Sequence, residues 1–294
     1  MVTKKSAGEI VFDVFNHVFM VFLCFIFIYP IMYCLFASFS DPNQLARHAG
    51  PLFKPLGFSL QAYQSIFKDP SLVRSILNTV FYVVAGTSLN LLMTSLAAYV
   101  LSRKGFYWKK AIMFMIVFTM YFGGGLIPFY VVVRMIGLNN SPLALIIPSA
   151  VSAFNIIIMR TYFMTIPDSM EESAKLDGAN DFIVLFRIML PLAMPVVAVM
   201  IIYYGVGHWN SWFDAMIFLL KKPEWRPLQL TLRNLLLMNS ATRMSTNTDP
   251  TKSAQAARLI QYALIIVTIA PILAIYPFMQ RHFIKGVMIG SIKE

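Results

Sequence analysis

Charged residues are scarce in this sequence. Only 13% of the 294 residues are Asp, Glu, Lys or Arg, whereas 58% are apolar or aromatic. Soluble domains carry about 25% charged residues, so a soluble fold of this size would lack the charge to cover its surface. Disorder is excluded too, because 25 Phe and 13 Tyr are the opposite of a disordered composition. The composition predicts an integral membrane protein, with an unusually apolar soluble helical protein as the alternative.

Cysteines are rare in this sequence, and a nucleotide-binding motif is absent from it. Cys24 and Cys34 are the two cysteines, and ten residues of helix would hold them roughly 15 Å apart, too far for a disulfide. No cysteine or histidine spacing of a metal or redox site occurs. No Walker A pattern is present, and the glycines at 123–125 are followed by no lysine, so we interpret them as a helix break. We expect no catalytic residue, metal or cofactor in this chain.

Long apolar runs are abundant. Six stretches reach the length of about 20 residues that a membrane-spanning helix needs, and none has the alternating pattern of an outer-membrane barrel. The first run is too long for a cleaved signal peptide, so we predict that it is retained. The prediction is an all-α membrane protein with six transmembrane helices over residues 18–39, 76–101, 111–133, 143–164, 190–219 and 259–280.

The basic residues orient these spans. Each side of the membrane would hold twelve Lys and Arg, but the short turn 102–110 carries four and no acid, whereas the short connection 134–142 carries only Arg134. Short loops rich in basic residues stay inside. We therefore place both termini (1–17 and 281–294) in the cytoplasm, and the loops 41–75 and 220–258 outside.

The predicted cytoplasmic loop 165–191 is acidic, against the charge trend of that side. Pro167 and Asp168 are typical of a helix start, and acids suit the positive end of the helix dipole. Gly178 would end or bend this helix, and a second apolar stretch then leads into Pro191. The loop is predicted to be a short amphipathic helix, a glycine bend and a second helix.

Within this loop, Glu172-Ser173-Ala174 is followed after three residues by Gly178, and after nine more by Ile188 and Leu190-Pro191. The pattern resembles the EAA motif (Glu-Ala-Ala, three residues, Gly, nine residues, Ile-x-Leu-Pro) of the permease subunits of bacterial ABC importers. The one departure is Ser173, a small residue where the motif has Ala.

The resemblance extends over the whole chain. Residues 209–213 (WNSWF) and the tail 283–293 (FIKGVMIGSIK) are similar to those of the carbohydrate-uptake branch, which is MalG-like, and most of all to its LplC-like subgroup, which includes permeases for pectin-derived and alginate oligosaccharides. It implies the type I (MetI-like) permease fold and a non-catalytic translocation subunit in the inner membrane. It also implies an ATPase dimer that holds ATP and Mg, a second homologous permease, an extracytoplasmic solute-binding protein, an oligosaccharide substrate and membrane lipid as partners, with no nucleic acid.

The resemblance also implies roles for residues of the loop and the tail. The first EAA helix would be a coupling helix seated on the ATPase, with Glu172 paired to an arginine there; an ordinary solvated acidic helix is the alternative. The residues concerned are Glu171, Glu172, Ser173, Ala174, Asp177, Gly178 and Ala179. The tail would contact the ATPase subunits through Gly286, Gly290 and Ser291, with a frayed tail as the alternative.

A sugar pathway needs polar and aromatic side chains within the spans. Candidates are Tyr121, Asn155, Tyr203, Tyr204, His208, Trp209, Asn210 and Trp212. For any one of them, packing between helices is the competing explanation; for the 203–212 group, pathway and packing stay open. An ion-coupled secondary carrier or other channel subunit is the alternative function, but carriers bury ionisable groups at membrane depth, and here only His208 and Asp214 qualify, near the outer end of the fifth span.

In this topology the net charge of +11 is distributed unequally between the two sides of the membrane. Twelve basic and eight acidic residues lie inside, against twelve and five outside, which leaves +4 inside and +7 outside. A positive outer face attracts anions. The hypothesis is that it favours acidic cargo such as uronate oligosaccharides, or an acidic binding protein.

Overall fold

The computed structural model describes residues 6–245 and 252–291, with side chains described for 6–237 and 257–277. Within these residues the regular secondary structure is helical, apart from one isolated bridge between Ser40 and Phe58. Short 3-10 turns cover Pro142–Leu145 and Pro223–Trp225, and a π-helical stretch covers Val184–Met189. The α-helices are α1 (Ala7–Ser38), α2 (Pro42–Arg47), α3 (Gln61–Lys68), α4 (Pro70–Ser102), α5 (Lys109–Tyr121), α6 (Leu126–Met135), α7 (Ala153–Phe163), α8 (Asp168–Leu176), α9 (Asp181–Ile183), α10 (Leu190–Leu192), α11 (Met194–Trp209), α12 (Phe213–Phe218), α13 (Leu228–Ser245) and α14 (Lys252–Ser291).

The chain divides into two compact units. The first contains residues 1–70 and 232–270. Its helix α1 begins with a capping box, in which the side chains of Ser6 and Glu9 each accept the other residue's backbone amide. Most of α1 is apolar and exposed on all sides, a surface that suits lipid rather than water. Toward its end, Tyr33 packs edge-on against Tyr262 of α14, with ring centroids 5.9 Å apart.

The second unit contains residues 71–231 and 271–294 and has two hydrophobic clusters along α4. One cluster surrounds the last turns of α4 and includes Tyr99, Phe163 and Met200, all almost fully buried. The other surrounds the first half of α4 and includes Tyr82 and Phe218. Side chains of one helix thus anchor both ends of this unit.

The predicted spans agree with the structure in part. Among the described residues, α1, α4 and Ala257–Pro277 of α14 are each long and apolar enough to cross a membrane. Two helix pairs are long and apolar enough only when taken together, and both are bent: α5 and α6 by 118°, and the segment Asp181–Leu192 and α11 by 88°. The first bend lies at the glycines predicted to break the third span, where Gly125 has a φ of +82°.

The predicted span 143–164 is not one continuous helix in the structure. The structure has a 3-10 turn at Pro142–Leu145, and α7 begins only at Ala153 and has 11 residues. Pro148 has no amide hydrogen to donate and disfavours the helical conformation in the residue before it. The helix restarts where Ser152 accepts the amide of Asn155 and caps it. Within the predicted external loop 220–258, Leu228–Ser245 form the helix α13.

Candidate functional site

The acidic part of the 165–191 loop folds into α8, as the sequence predicted. The helix starts directly after Pro167, with Asp168 in its first turn, where a negative charge is stabilised by the helix dipole. It ends at Gly178, whose φ of +83° favours glycine. There the amide of Ala179 donates to the carbonyl oxygen of Ala174 at 2.9 Å. This is the Schellman end, and it turns the chain sharply toward α9.

The predicted coupling residues lie on two different faces of α8. Glu171 and Ala174, three residues apart, are both 9% exposed and face the helical bundle of their own unit. Ala179 packs against the same cluster. The opposite face is exposed, with Leu176 at 89%, and it also carries Glu172, Ser173, Asp177 and Gly178. Only this second set is accessible to another protein.

Glu171 is the centre of a charged cluster that joins α8 to the end of α4. Its carboxylate accepts hydrogen bonds from the guanidinium of Arg103, from Lys175 Nζ at 2.8 Å, and from the hydroxyl of Tyr99 at 3.4 Å. Lys175 also reaches Asp181 at 3.2 Å, and Tyr99 donates to the same Asp181 oxygen at 3.3 Å. Three elements, α4, α8 and α9, therefore meet in one network.

The network keeps Glu171 ionised. Burial by itself would raise the pKa of Glu171, but hydrogen bonds from Lys175 and Arg103, together with their charges, hold it below its ordinary value. Hydrogen bonds to Glu171 and Asp181 in turn raise the pKa of Lys175 to about 12. At neutral pH both groups are charged, so the cluster is a set of ion pairs.

Glu172 lines a cavity of 560 Å³ between α8 and the turn that follows α4. Three other carboxylates border this cavity: Glu171 and Asp181 belong to the cluster above, and Asp168 lies 2.5 Å from Lys104. Among the described residues, Glu172 has no ion-pair partner of its own. It is exposed, so its carboxylate is available to a cation from outside the chain.

Sequence reasoning missed Arg103, Tyr99 and Asp181 as members of this site. Arg103 was counted only for topology, as one basic residue of the turn 102–110. A signal existed, because that basic turn and the acidic loop 165–191 were both predicted on the same side of the membrane. Opposite charges on one side of a small bundle tend to pair, but which residues pair depends on the packing.

Two of the predicted pathway residues pack α11 against α4. His208 Nε2 lies 2.7 Å from Asn90 Oδ1, and the Asn90 amide donates to the carbonyl oxygen of Ser149. One turn away on α11, the hydroxyl of Tyr204 lies 2.6 Å from that of Thr94. His208 and Tyr204 are each 7% exposed, so the packing explanation accounts for both of them.

A different face of α11 carries the exposed candidates. Tyr203 is 40% exposed, and its ring lies 6.3 Å from that of Phe154. Asn210 is exposed, and its side-chain oxygen accepts from Gln229 Nε2 at 3.2 Å. The 203–212 group is therefore split between two faces, and a pathway role for its exposed members stays a prediction.

The other pathway candidates are scattered. Tyr121, at the last turn of α5, is 78% exposed. Asn155 is buried in the first turn of α7. Trp209 is half-buried at the end of α11, and Trp212 packs against the cluster around Phe218. The structure does not bring these side chains together at one point.

Four hydrogen bonds hold the corner 223–228 against the first half of α4. The side-chain amide of Asn78 donates to the backbone carbonyl oxygens of Glu224 at 2.8 Å and Arg226 at 3.1 Å. Tyr82 donates to the carbonyl oxygen of Trp225 at 2.9 Å, and Thr79 Oγ1 accepts the amide of Leu228 at 2.8 Å. The start of the long 220–258 loop is therefore an ordered part of the unit.

We expect Asn78→Ala to loosen this corner without unfolding the unit. Two carbonyl groups lose their donor, which costs about 1–3 kcal/mol locally. Amide hydrogen exchange over 223–230 should then accelerate about tenfold or more. Ser88→Ala, on an exposed position of the same helix, is the matched control and should change nothing. Unchanged exchange in Asn78→Ala would show that the corner is held by other contacts.

The predicted tail contacts are at the end of α14. Gly286, Gly290 and Ser291 are within this helix, but their side chains lie outside the described residues, so the proposed role in ATPase contact stays a prediction. No group of three or more His, Cys, Asp or Glu residues able to hold a metal ion occurs in the described part of the chain.

Comparison with known proteins identifies relatives of the whole chain. Residues 90–289 match the model of the family described as "Binding-protein-dependent transport system inner membrane component". This stretch includes the end of α4, the whole of the 165–191 loop and α11, and thus all of the residues of the charged cluster.

Two similar proteins come from Bacillus subtilis (strain 168). The polygalacturonan/rhamnogalacturonan transport system permease protein YtcP is 38% identical over 282 residues, which are 96% of this chain and 98% of YtcP. Protein LplC is 38% identical over 291 residues, 99% of this chain and 97% of LplC. A solved structure with a TM-score of 0.85 and 30% identity covers 96% of this chain and all of its own chain, and belongs to a bacterial ABC transporter involved in the import of the acidic polysaccharide alginate.

Proposed function

Because the chain belongs to the family of binding-protein-dependent transport system inner membrane components, we propose that it works with an ATPase through the exposed face of α8 to import acidic oligosaccharides. It is a multi-pass permease of an ABC importer for polysaccharide or oligosaccharide uptake, with the type I (MetI-like) fold, and a non-catalytic translocation component. The observation that carries the ATPase contact is Glu172, which is exposed and, among the residues that the structure describes, has no ion pair of its own beside three paired carboxylates.

The α8 face fits an ATPase partner in both shape and charge. Leu176 offers an apolar contact, and Glu172 a carboxylate that an arginine can bind with two parallel hydrogen bonds. The Schellman end at Gly178 keeps the helix short and projecting. ATP and Mg would be held by the ATPase dimer, since this sequence has no Walker A motif.

The contacts of α4 support the proposed orientation. Its end pairs with α8 through Arg103 and Glu171, whereas Asn78 holds the 223–228 corner. These two points on α4 are roughly 25 residues apart, about 35–40 Å of helix, enough to cross a bilayer. With the basic turn 102–110 inside, α8 and the termini are cytoplasmic and the corner is external.

The substrate class rests on relatives and on charge. YtcP and the solved alginate transporter are named for acidic polysaccharides, and the predicted external segments carry a net charge of +7. Lys221 directly precedes the segment of the ordered external corner, and Arg226 lies within it. Positive charge there would attract uronate groups or an acidic solute-binding protein.

The mechanism we propose is alternating access. ATP binding closes the ATPase dimer and carries α8 with it as a nearly rigid body. The helical bundle, together with that of a second homologous permease, opens outward to the docked binding protein, and hydrolysis restores the inward-facing state. Such a switch needs contacts that differ between the two states, and the exposed face of α8 supplies them.

Purification from detergent and uptake assays test the proposal. An ATPase, a second permease and a solute-binding protein should co-purify with the chain, and the binding protein should carry a uronate oligosaccharide. In proteoliposomes of the complex, ATP should drive uptake of oligogalacturonate or oligoalginate in preference to a neutral oligosaccharide of the same length. Preference for the neutral sugar would contradict the substrate class, and uptake without any ATPase would favour an ion-coupled carrier.

A further inference from the structure

The chain connection from α8 does not lead to α4. It runs through the bend at Gly178 into α9, the π-helical stretch and α11. A π-helical stretch is a local irregularity that often marks a functional segment. On the connection alone, a displacement of α8 would therefore be passed to α11, and α4 would follow only through side-chain contacts.

Those contacts are concentrated at Glu171 and Arg103. Their side chains are only 12% and 19% exposed, so the pair is partly shielded from water, and removing Glu171 leaves the shielded guanidinium of Arg103 without its carboxylate partner. A second ion pair joins the same two regions, Lys104 with Asp168, but its side chains are 86% and 48% exposed. Exposed pairs contribute little, so of the two ion pairs that join these regions in the described part of the chain, Arg103–Glu171 is the stronger.

Arg103 is itself held in place. Its Nε donates to Ser102 Oγ at 3.0 Å, and its guanidinium lies 4.9 Å from the ring centre of Tyr99, within cation–π range. The end of α4 is also fastened, because Arg160 of α7 donates to the carbonyl oxygen of Leu101 at 2.9 Å. Glu171 therefore binds a guanidinium that other contacts already hold in place at the end of α4.

Helix α4, whose end Glu171 contacts, extends to the other side of the unit. Asn90 of α4 contacts His208 of α11 and Ser149, and Asn78 and Tyr82 hold the 223–228 corner. A movement of the end of α4 would thus reach the residues around the external corner through one continuous helix, 33 residues long.

We propose that Arg103 and Glu171 are positioning residues that fasten α8 to α4, so that the ATPase moves α4 together with α11 and thereby shifts the external corner. The inference rests on the proposed function of α8 as the ATPase contact. Glu172 faces the ATPase on one side of α8, while Glu171, the next residue, transmits the motion on the other.

The test is a charge-reversal cycle in proteoliposomes of the complete importer. Arg103→Glu and Glu171→Arg should each lower the ratio of sugar transported to ATP hydrolysed by about tenfold, within the usual range of coupling between sites. Co-purification of the ATPase should persist, because Glu172 is unchanged. The double variant, which restores opposite charges, should recover part of the ratio. Lys104→Glu with Asp168→Lys is the matched control for the exposed pair and should stay close to wild type.

A second measurement covers the case in which a reversal disturbs folding. Glu171→Gln removes the charge but keeps the shape, and amide hydrogen exchange over 223–228 is compared with and without ATP in the assembled importer. Wild type should show a nucleotide-dependent change that Glu171→Gln largely loses; a purely structural role would alter exchange equally in both states. Wild-type transport ratios in Arg103→Glu, or an undiminished nucleotide response in Glu171→Gln, would overturn the inference. If the wild-type complex itself lacks ATP-dependent uptake, the proposed function fails instead.

Discussion

Glu172→Lys is expected to abolish coupled transport while leaving the protein folded in the membrane. The side chain is exposed on α8 and has no ion-pair partner among the described residues, so its replacement breaks no ion pair there. In the assembled importer a lysine would instead face the proposed arginine of the ATPase. Losing a charge pair at an interface costs about 2–5 kcal/mol, and placing like charges together costs more. Transport should fall by at least about thirtyfold, which corresponds to the lower end of that range.

The measurement compares uptake, ATP hydrolysis and co-purification of the ATPase for purified complexes. Ser173→Ala is the matched control, because it changes the neighbouring exposed residue to the one usual in the motif and should leave uptake within about twofold. Circular dichroism of the purified subunit should be the same for wild type and both variants. Normal uptake by Glu172→Lys would refute the role of Glu172 and, with it, the assignment of the exposed α8 face to the ATPase.

Gly86→Ala is expected to lower the stability of the second unit strongly for so small a change. A Cβ atom at Gly86 would lie 2.4 Å from His208 Nε2 and 2.5 Å from its Cε1, so α4 and α11 must separate or the imidazole must leave Asn90. Overpacking costs about 1–3 kcal/mol, and a buried hydrogen bond that loses its partner costs about 1–3 kcal/mol more. The midpoint of thermal unfolding in detergent should fall by several degrees.

A double-mutant cycle separates the steric cause from others. His208→Ala removes the ring that Gly86→Ala would strike, so in the His208→Ala background the second substitution should cost much less than in wild type. Gly207→Ala is the control for an added methyl group on a helix, since nothing lies within 4 Å of a Cβ there, and it should be neutral or slightly stabilising. Additive effects of Gly86→Ala and His208→Ala would contradict the contact between α4 and α11.

Local signals in the sequence predicted local structure well. The start of α8 after Pro167 and its end at Gly178 were both readable, because proline and glycine restrict or extend the backbone angles of their own residues. The glycine break before α6 followed from the same kind of signal. Where an apolar run contained Pro148, length and hydropathy predicted a continuous span that the structure does not form. An apolar composition indicates that a segment lies in the membrane, but it does not by itself require that segment to be one unbroken helix.

The sequence did not predict which side chains that are far apart in the chain would contact each other. The resemblance to the EAA motif placed Glu171 and Glu172 together in one coupling group, but the packing turns one inward to Arg103, 68 residues away, and the other outward. Likewise, the sequence makes Tyr204 and His208 pathway candidates, but only their contacts with Thr94 and Asn90 show that they pack α11 on α4; a pathway role for them stays a prediction. Adjacent residues on a helix point in directions about 100° apart, so their roles depend on what surrounds the helix.

The sequence by itself determined that this chain is a membrane protein built from apolar helices, and that the 165–191 loop carries an acidic helix closed by a glycine. These properties follow from hydropathy, charge and backbone preferences, which act over a few residues. Only the tertiary structure decided which face of α8 is free for a partner, and that Arg103 and Glu171 join α8 to α4. Those outcomes depend on contacts between residues far apart in the chain, which form only when the helices pack.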